Sequence, residues 1–299
     1  MKYGNAFPRV MLAAVLGLVI GCAGDSETLG PVTITSANAE LIAQQGVGAV
    51  DTLTQMSAMV EDYSDVFDNP GAQVLPCDTG DANLEINDTG APGLSTGDSA
   101  RFTFVNCVNG ADSIPVTMNG TLAFTATDVT GTPPGPFSYA LTCTFTNFSI
   151  SLLGATVTVN GGFTLELSTD DADTYTAVVH GAYYSVYAQA GQQSYWGTIS
   201  DFRLERTVTE STGDYVVNLM ATVSGSQIGG EATYETTVPF TGTDPSDPDT
   251  GTLVVTGAAG ATATLIAIDN VYVQILLDLD GDETTDATIN TTWDVLNDS

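Results

Sequence analysis

A run of acidic side chains near the C-terminus has the residue types and spacing of a cation-binding loop. The carboxylates belong to Asp278, Asp280, Asp282 and Asp286. Hard cations such as Ca²⁺ take about six to eight oxygen ligands, and alternate acids on a turning backbone supply several of them. The run therefore predicts a calcium site as the one candidate cofactor, with a solvated hairpin turn as the alternative.

These carboxylates stand at relative positions 1, 3, 5 and 9. That spacing resembles the calcium loops of EF-hand, dockerin and thrombospondin type-3 repeats. An EF-hand loop has glycine at its sixth position and a bidentate acid at its last. Glu283 and Ile289 occupy those positions here. Because the bidentate acid is missing, the departure predicts weaker calcium affinity, unless surrounding acids substitute for it.

A second group of side chains could bind a ligand by stacking. Tyr183, Tyr187, Tyr195 and Trp196 surround the predicted turn at 190–193. On strands, the same-parity members Tyr183, Tyr187 and Tyr195 are expected to share a face, and a flat aromatic strip can stack on sugars. Ordinary cross-strand aromatic packing is the alternative.

Three patterns resemble parts of catalytic sites, but each lacks the other residues that its chemistry requires. The one histidine, His180, lies in a strand-like run, and no GxSxG accompanies it. The stretch 88–91 resembles the aspartic protease signature, whose chemistry needs two facing carboxylates, yet Asp-Thr-Gly is also common in turns. The stretch 97–99 resembles the first block of GDS-type lipases, which also carry a late Asp-x-x-His. The sequence therefore predicts a non-enzymatic protein.

The cysteines divide into one near the start and three further along. Cys77, Cys107 and Cys143 allow one disulfide and one free thiol. We predict Cys77–Cys107, which would stabilise the fold by about 3–4 kcal/mol. The alternation of Cys143 with Leu141 and Phe145 predicts that its thiol is buried. Cys107–Cys143 is the alternative pairing.

The first 21 residues have the three parts of an export signal. Lys2 and Arg9 precede an apolar stretch at 10–20 that is too short to span a bilayer. The stretch ends in Val19-Ile20-Gly21-Cys22. This order resembles the lipobox of bacterial lipoproteins, which implies cleavage before Cys22 and fatty acylation of that cysteine.

The lipobox resemblance also implies a location. Acylation would attach the chain to the cell envelope, and several acyl chains hold a protein more firmly than one. In lipoproteins, an Asp after the cysteine favours the inner membrane. Ala23 stands there instead, so we expect the outer membrane.

The charge balance excludes one class of partner. After removal of residues 1–21, three arginines face 36 acidic residues, which gives a net charge of −33. Such a charge repels phosphate backbones, so we expect no nucleic-acid binding. Adaptation to a salty environment is the simplest reason for the acidity.

One segment has helical periodicity. Residues 22–35 are small and polar and predict a tether, whereas residues 36–68 predict an amphipathic helix with Ser36 as its N-cap. The apolar face of this helix is Ile42, Val50, Leu53, Met56, Val60, Tyr63 and Phe67.

The chain from residue 100 onwards alternates apolar and polar side chains with a period of two. Such alternation predicts antiparallel strands with one dry face. Turn signals at Asn119-Gly120, Asn160-Gly161 and 212–214 are expected to separate them. The fold class is mainly β: a large antiparallel meander (a curled sheet, half-barrel or barrel-like) with the helix packed on it, in one domain over 36–299.

A partial repeat links the stretches around Asn106 and Asn147. Each is followed by a Val-Thr-x-Asn-Gly sequence, and both offsets are 41 residues. The apolar parity changes at Asn147, which predicts a β-bulge. The stretch around Asp201 is a degenerate third copy.

Two functional hypotheses follow. The first is a lipid-anchored envelope protein with a structural or interaction role and an envelope protein as partner. The second is a carrier or sensor that holds a small apolar molecule between sheet and helix, stabilised by calcium.

Overall fold

A computed structural model of the chain describes residues 29–68, 77–90, 93–110, 115–131, 135–169, 171 and 173–297, with the backbone alone described for residues 57–68. The signal segment 1–21 and Cys22 lie outside the described residues. The strands are β1 (Thr79–Asn87), β2 (Ser99–Asn109), β3 (Val116–Gly131), β4 (Phe137–Leu152), β5 (Ala155–Thr169), β6 (Thr174–Ala190), β7 (Gln193–Thr209), β8 (Asp214–Gly225), β9 (Gly230–Thr243), β10 (Thr250–Thr256), β11 (Thr262–Ala267), β12 (Tyr272–Asp278) and β13 (Ala287–Thr292). The helices are α1 (Ala39–Asp68), a 3-10 helix (Ala258–Gly260) and α2 (Trp293–Asn297).

The strands form one antiparallel sheet in which each strand pairs with its neighbours in sequence. β1 and β13 lie at the two ends and do not pair with each other, so the sheet is open. The predicted antiparallel meander is confirmed, in its open form. Alternating side chains give the sheet an inner face, which carries the buried residues, and an outer face.

Helix α1 packs on the inner face, as predicted. Ile42, Leu53 and Met56 are buried in the same apolar core as the strands. The Tyr234 hydroxyl on β9 donates a hydrogen bond to the Ile42 carbonyl oxygen at 2.9 Å and fixes the start of the helix against the sheet. The side chains of Val60, Tyr63 and Phe67 lie outside the described residues. None of the described helices has the length and apolar character required to cross a membrane.

The helix begins at Ala39, three residues after the predicted N-cap Ser36. The Asn38 side-chain oxygen instead accepts hydrogen bonds from the Thr35 N–H at 2.8 Å and the Thr35 hydroxyl at 3.0 Å. This local bonding holds residues 36–38 in a turn. Ser36 therefore lies inside this turn, and Asn38 is the residue that directly precedes the helix.

The last residues of the predicted tether belong to the folded domain. Val32 and Ile34 are buried. The Val32 N–H donates to the Glu231 carbonyl oxygen at 2.8 Å, and the Glu231 N–H donates to the Gly30 carbonyl oxygen at 3.1 Å. Pro31 forms a parallel bridge with Glu231 at the start of β9. The prediction of a tether over residues 22–35 was therefore too long, because Val32 and Ile34 supply apolar surface to the core.

The predicted β-bulge at Asn147 is confirmed, and the two related positions behave alike. Asn106, Asn147 and Asp201 have φ angles of 47°, 46° and 47°. The strand pairing shifts next to each of them. A bulge adds one residue to one strand, so the buried positions change parity without breaking the inner face.

The two Asn-Gly pairs that predicted hairpin turns lie inside strands β3 and β5, so that prediction was wrong. The Asn119 side-chain oxygen accepts the Asn106 N–H at 2.7 Å, and the Asn160 side-chain oxygen accepts the Asn147 N–H at 2.7 Å. A Cβ atom on Gly120 would lie 2.1 Å from the Asn147 carbonyl oxygen. The Asn-Gly pairs therefore support the bulges on the adjacent strands.

The cysteines pair as predicted. Cys77 and Cys107 form a disulfide that joins the start of β1 to β2. Cys143 on β4 is a buried free thiol, and burial raises its pKa well above the ordinary value. The alternative Cys107–Cys143 pairing is therefore not formed.

Candidate functional site

A cavity of about 280 Å³ lies between helix α1 and the inner face of the sheet. We call it the helix–sheet cavity. Its walls come from α1, from strands β7 to β11, from the loop at 244–248 and from α2. Elements that are far apart in the sequence therefore meet around one space.

The walls of the helix–sheet cavity are mostly apolar. Val47 and Val50 on α1 face it, and the sheet contributes the aliphatic residues Val217, Leu219, Leu253 and Leu265. Phe240 and Trp293 form one side, with ring centroids 6.0 Å apart in an edge-to-face arrangement. The Trp293 indole N–H donates to the carbonyl oxygens of Pro248 and Asp269, both at 3.2 Å, so this ring is held in place.

Charged side chains collect at the mouth of the cavity. Arg206 donates to the Asp244 carboxylate at 2.6 Å, and its guanidinium lies 5.8 Å from the centre of the Tyr215 ring. Asp51 and Asp247 also line the mouth. One arginine faces three aspartates, so the mouth carries net negative charge.

The electrostatics of the mouth affect two titratable groups. Burial, followed by the nearby Asp247 carboxylate, raises the pKa of Asp51, although part of this side chain remains exposed. Burial is also the largest cause that raises the pKa of Tyr215 to about 12, and the carboxylates of Asp244, Asp247 and Asp249 add to it. The Tyr215 hydroxyl stays protonated and donates to the Ser246 carbonyl oxygen at 2.9 Å.

The predicted calcium loop lies at the turn between β12 and β13. Asp278, Asp280 and Asp286 each place a carboxylate oxygen within 4.8 Å of the others. Asp282 is not part of this group, and one of its oxygens accepts the Thr284 N–H at 2.9 Å and the Thr284 hydroxyl at 2.5 Å. Three of the four predicted ligands are therefore brought together.

Backbone N–H groups shape the same loop. The Asp278 carboxylate accepts from Gly281 at 2.7 Å, from Asp282 at 3.2 Å and from Glu283 at 2.9 Å. Glu283 has a φ of 67°, a left-handed conformation that glycine adopts more readily. Glu283 therefore adopts the backbone conformation that glycine adopts at the corresponding position of calcium loops.

The predicted aromatic strip is only partly correct. Tyr187 lies opposite Trp196 in the strand register, while Tyr195 lies opposite Ala188. Tyr183, Tyr187 and Trp196 line a common groove on the outer face. Tyr195 instead packs against the inner core. The error has a simple cause: residues on two strands share a face when their register matches, whatever their parity in sequence.

The residues that suggested catalysis have structural contacts. The Nε2 atom of His180 lies 3.2 Å from the Glu166 carboxylate on the neighbouring strand. The Asp88 carboxylate accepts the Gly90 N–H at 2.7 Å, which is ordinary turn bonding. Asp98 is fully buried and accepts hydrogen bonds from Thr89 and Ser95. Asp98 therefore joins the loop before β2 to the end of β1.

The second functional hypothesis placed a ligand between sheet and helix, where this cavity lies, but the sequence did not identify the full set of its lining residues. The helical period predicted that Val50 is a core residue, and alternation predicted the same for Val217 and Leu219, whereas Phe240, Arg206 and the loop at 244–248 carried no signal. The available clue was the pair of short side chains Val47 and Val50 on α1, which line the cavity. Comparison of the chain with known protein families, with curated proteins and with solved structures finds no match.

Proposed function

We propose that this protein is a lipid-anchored, non-enzymatic envelope protein that holds a small apolar molecule in the helix–sheet cavity, as a carrier or a sensor. The observation that carries the proposal is the cavity of about 280 Å³ between helix and sheet. Small-molecule sites are concave and mostly apolar, with a few placed polar groups. Larger side chains that filled this space would stabilise the folded protein, so an unfilled cavity is more readily explained by ligand binding than by stability.

The charges at the mouth restrict the class of ligand. Asp51 and Asp247 face an incoming ligand, while Arg206 is already paired with Asp244. A carboxylate or phosphate head group would meet like charge at this point. The ligand is therefore an apolar molecule with a neutral or cationic polar end.

The anchor is proposed from the sequence Val19-Ile20-Gly21-Cys22. Leu29 is the first described residue, and only six residues separate it from Cys22. An acyl group on Cys22 would hold the cavity near the membrane, with the outer membrane as the proposed location. Mass spectrometry of the mature N-terminus tests this part. An unmodified chain that retains its first 21 residues would contradict it.

A displacement assay tests ligand binding. The full chain, purified as cells mature it, is titrated with the neutral apolar dye N-phenyl-1-naphthylamine. We expect bound-dye fluorescence, which decylamine reverses at lower concentration than decanoate at pH 7. The two competitors have equal chain lengths, so the difference reports the charge at the cavity mouth.

Two neighbouring valines provide a matched pair of variants. Val217 lines the cavity, whereas Val216 lies on the outer face and is 39% exposed. Val217→Phe fills the cavity and should abolish dye binding, while Val216→Phe should leave it unchanged. Equal binding by the two variants would place the dye elsewhere. Failure of the native chain to bind the dye would favour the structural or interaction role with an envelope partner.

Calcium stabilisation is the remaining part of the proposal. The support is the approach of Asp278, Asp280 and Asp286, whose oxygens suit a hard cation. At about a hundredfold excess of calcium over its Kd, binding stabilises the folded state by about 2.7 kcal/mol. We expect Tm to rise with calcium and to fall with chelator. Asp280→Asn should remove the shift, and the control Asp282→Asn should keep it.

A further inference from the structure

The outer face of the sheet carries a second concave region, separate from the helix–sheet cavity. It has a volume of about 480 Å³ and lies across strands β5 to β8 and the start of β9. We call it the outer groove. Its strand-borne walls are rows of directly paired residues, because Tyr187 pairs with both Thr158 and Trp196, and Ser185 pairs with both Asn160 and Thr198.

Aromatic rings lie at two levels of the outer groove. Tyr183 and Tyr187 are four residues apart on β6, which separates them by about 13 Å along the strand. Their side chains are 49% and 45% exposed. Trp196 lies directly opposite Tyr187, so one level carries two aromatic side chains and the other carries one.

Polar, uncharged side chains lie between these aromatic levels. The row containing Asn160, Ser185 and Thr198 continues to Ser224 on β8. Hydroxyl and amide groups donate and accept hydrogen bonds. The Trp196 Nε1 atom is buried and has no acceptor among the described residues.

The groove is almost free of charge in a strongly acidic chain. Glu231 is the one charged residue among its described lining residues. Without a cationic side chain, the lining offers nothing to neutralise a phosphate, a sulfate or a carboxylate. With a single carboxylate, it is equally unsuited to a polycation.

From these features we infer that the outer groove binds a neutral oligosaccharide. A sugar ring presents an apolar face that stacks on an aromatic ring and an edge of hydroxyls that pairs with amide and hydroxyl groups. One sugar ring would stack on Tyr183 and another on Tyr187 or Trp196, with Ser185 and Thr198 between them. The inference does not depend on the helix–sheet cavity or on the anchor.

The test measures binding of the full chain to chitohexaose, cellohexaose and maltohexaose by calorimetry. At least one of these neutral sugars should bind. The double change Tyr183→Ala and Tyr187→Ala should weaken that binding at least about tenfold, because each alanine removes a stacking surface. Tyr272→Ala is the matched control, since Tyr272 is 57% exposed and lies outside the groove.

Two further readouts locate the bound sugar and check that the variants stay folded. Trp196→Phe should abolish the sugar-induced change in indole emission, since Trp196 lines the groove and Trp293 lies in the helix–sheet cavity. The Tm of each tyrosine variant should match that of the native chain, because both tyrosines are exposed. Absence of binding to all three sugars, or equal affinity in the double variant, would overturn the inference. If the double variant instead lost binding to phosphatidylcholine vesicles, the groove would be a membrane-contacting surface.

Discussion

Two regions of the same inner face pack in opposite ways. Under β2 to β6 aromatic rings fill the space: Phe145 lies within about 6 Å of the ring centres of Phe148, Phe163 and Tyr184. We call this the aromatic region. Under α1, the sheet offers aliphatic residues to small residues of the helix, and the helix–sheet cavity remains. The same alternating pattern thus gives a filled region or a hollow one, according to side-chain volume.

The largest expected effect comes from truncating a ring in each region. Phe148 is fully buried, with its ring centre 5.8 Å from that of Phe104. Phe148→Ala should lower the free energy of unfolding by about 3–5 kcal/mol. Phe240→Ala should cost less, because the cavity beside Phe240 already removes some of its packing contacts. Guanidinium denaturation measures the free energy of unfolding of both variants. Equal decreases would contradict the claim that the two regions are packed differently.

Removal of the disulfide tests whether the aromatic region is also the more strongly constrained one. Cys77 and Cys107 are 30 residues apart in sequence. Replacing both with serine should lower the free energy of unfolding by about 3–4 kcal/mol, because the unfolded chain gains freedom. Dye binding in the cavity should be unchanged in the protein that remains folded. A loss of dye binding would show that the two regions are coupled.

A smaller effect is expected where the helix meets the sheet. A Cβ atom on Gly46 would lie 2.8 Å from the Tyr234 ring and 3.0 Å from Leu253. Gly46→Ala should therefore lower the free energy of unfolding by about 1–2 kcal/mol, since overpacking exceeds the gain of about 1 kcal/mol in helix propensity. Thermal unfolding measures the change. A higher Tm would mean that the helix has room to move away from the sheet.

The smallest expected effect concerns the charge at the cavity mouth. The pKa of Asp51 is raised in the folded state, so the folded protein loses stability as the pH rises from 3.8 through that raised pKa. Asp51→Asn removes this loss and should increase Tm at pH 7 by no more than about 2 °C. The difference should vanish near pH 3, where the carboxyl is protonated in both states. A benefit that persists at pH 3 would point to a cause other than charge.

The sequence predicted those features that depend on local pattern. Alternation predicted the strands from residue 100 onwards, although not β1, together with the buried thiol of Cys143 and the bulge at Asn147. The helical period predicted α1 and its packing on the sheet. Each of these follows from which side chains must avoid water, and that information is carried by neighbouring residues.

Features that depend on strand register were predicted less well. Tyr195 was placed on the wrong face because its register opposite Ala188 could not be read from parity. Asn119 and Asn160 were assigned to turns because an Asn-Gly pair suits both a turn and a bulge support. The helix–sheet cavity depends on pairings between distant elements, so its mouth at Arg206 and Asp244 had no sequence signature.

The bridge between Pro31 and Glu231 has a mechanical consequence. β9 is an interior strand, flanked by β8 and β10. The Val32 carbonyl oxygen also accepts the Ala258 N–H at 2.7 Å, so the N-terminal segment is bonded on two sides. Tension applied through the N-terminus would therefore pass into the middle of the sheet before it reached α1. At Glu231 the chain pairs with Ser224 of β8 on one side and with residues 30–32 on the other, because the pairing with β10 begins only at Thr233. A pulled chain would therefore load the pairing of β8 with β9 directly.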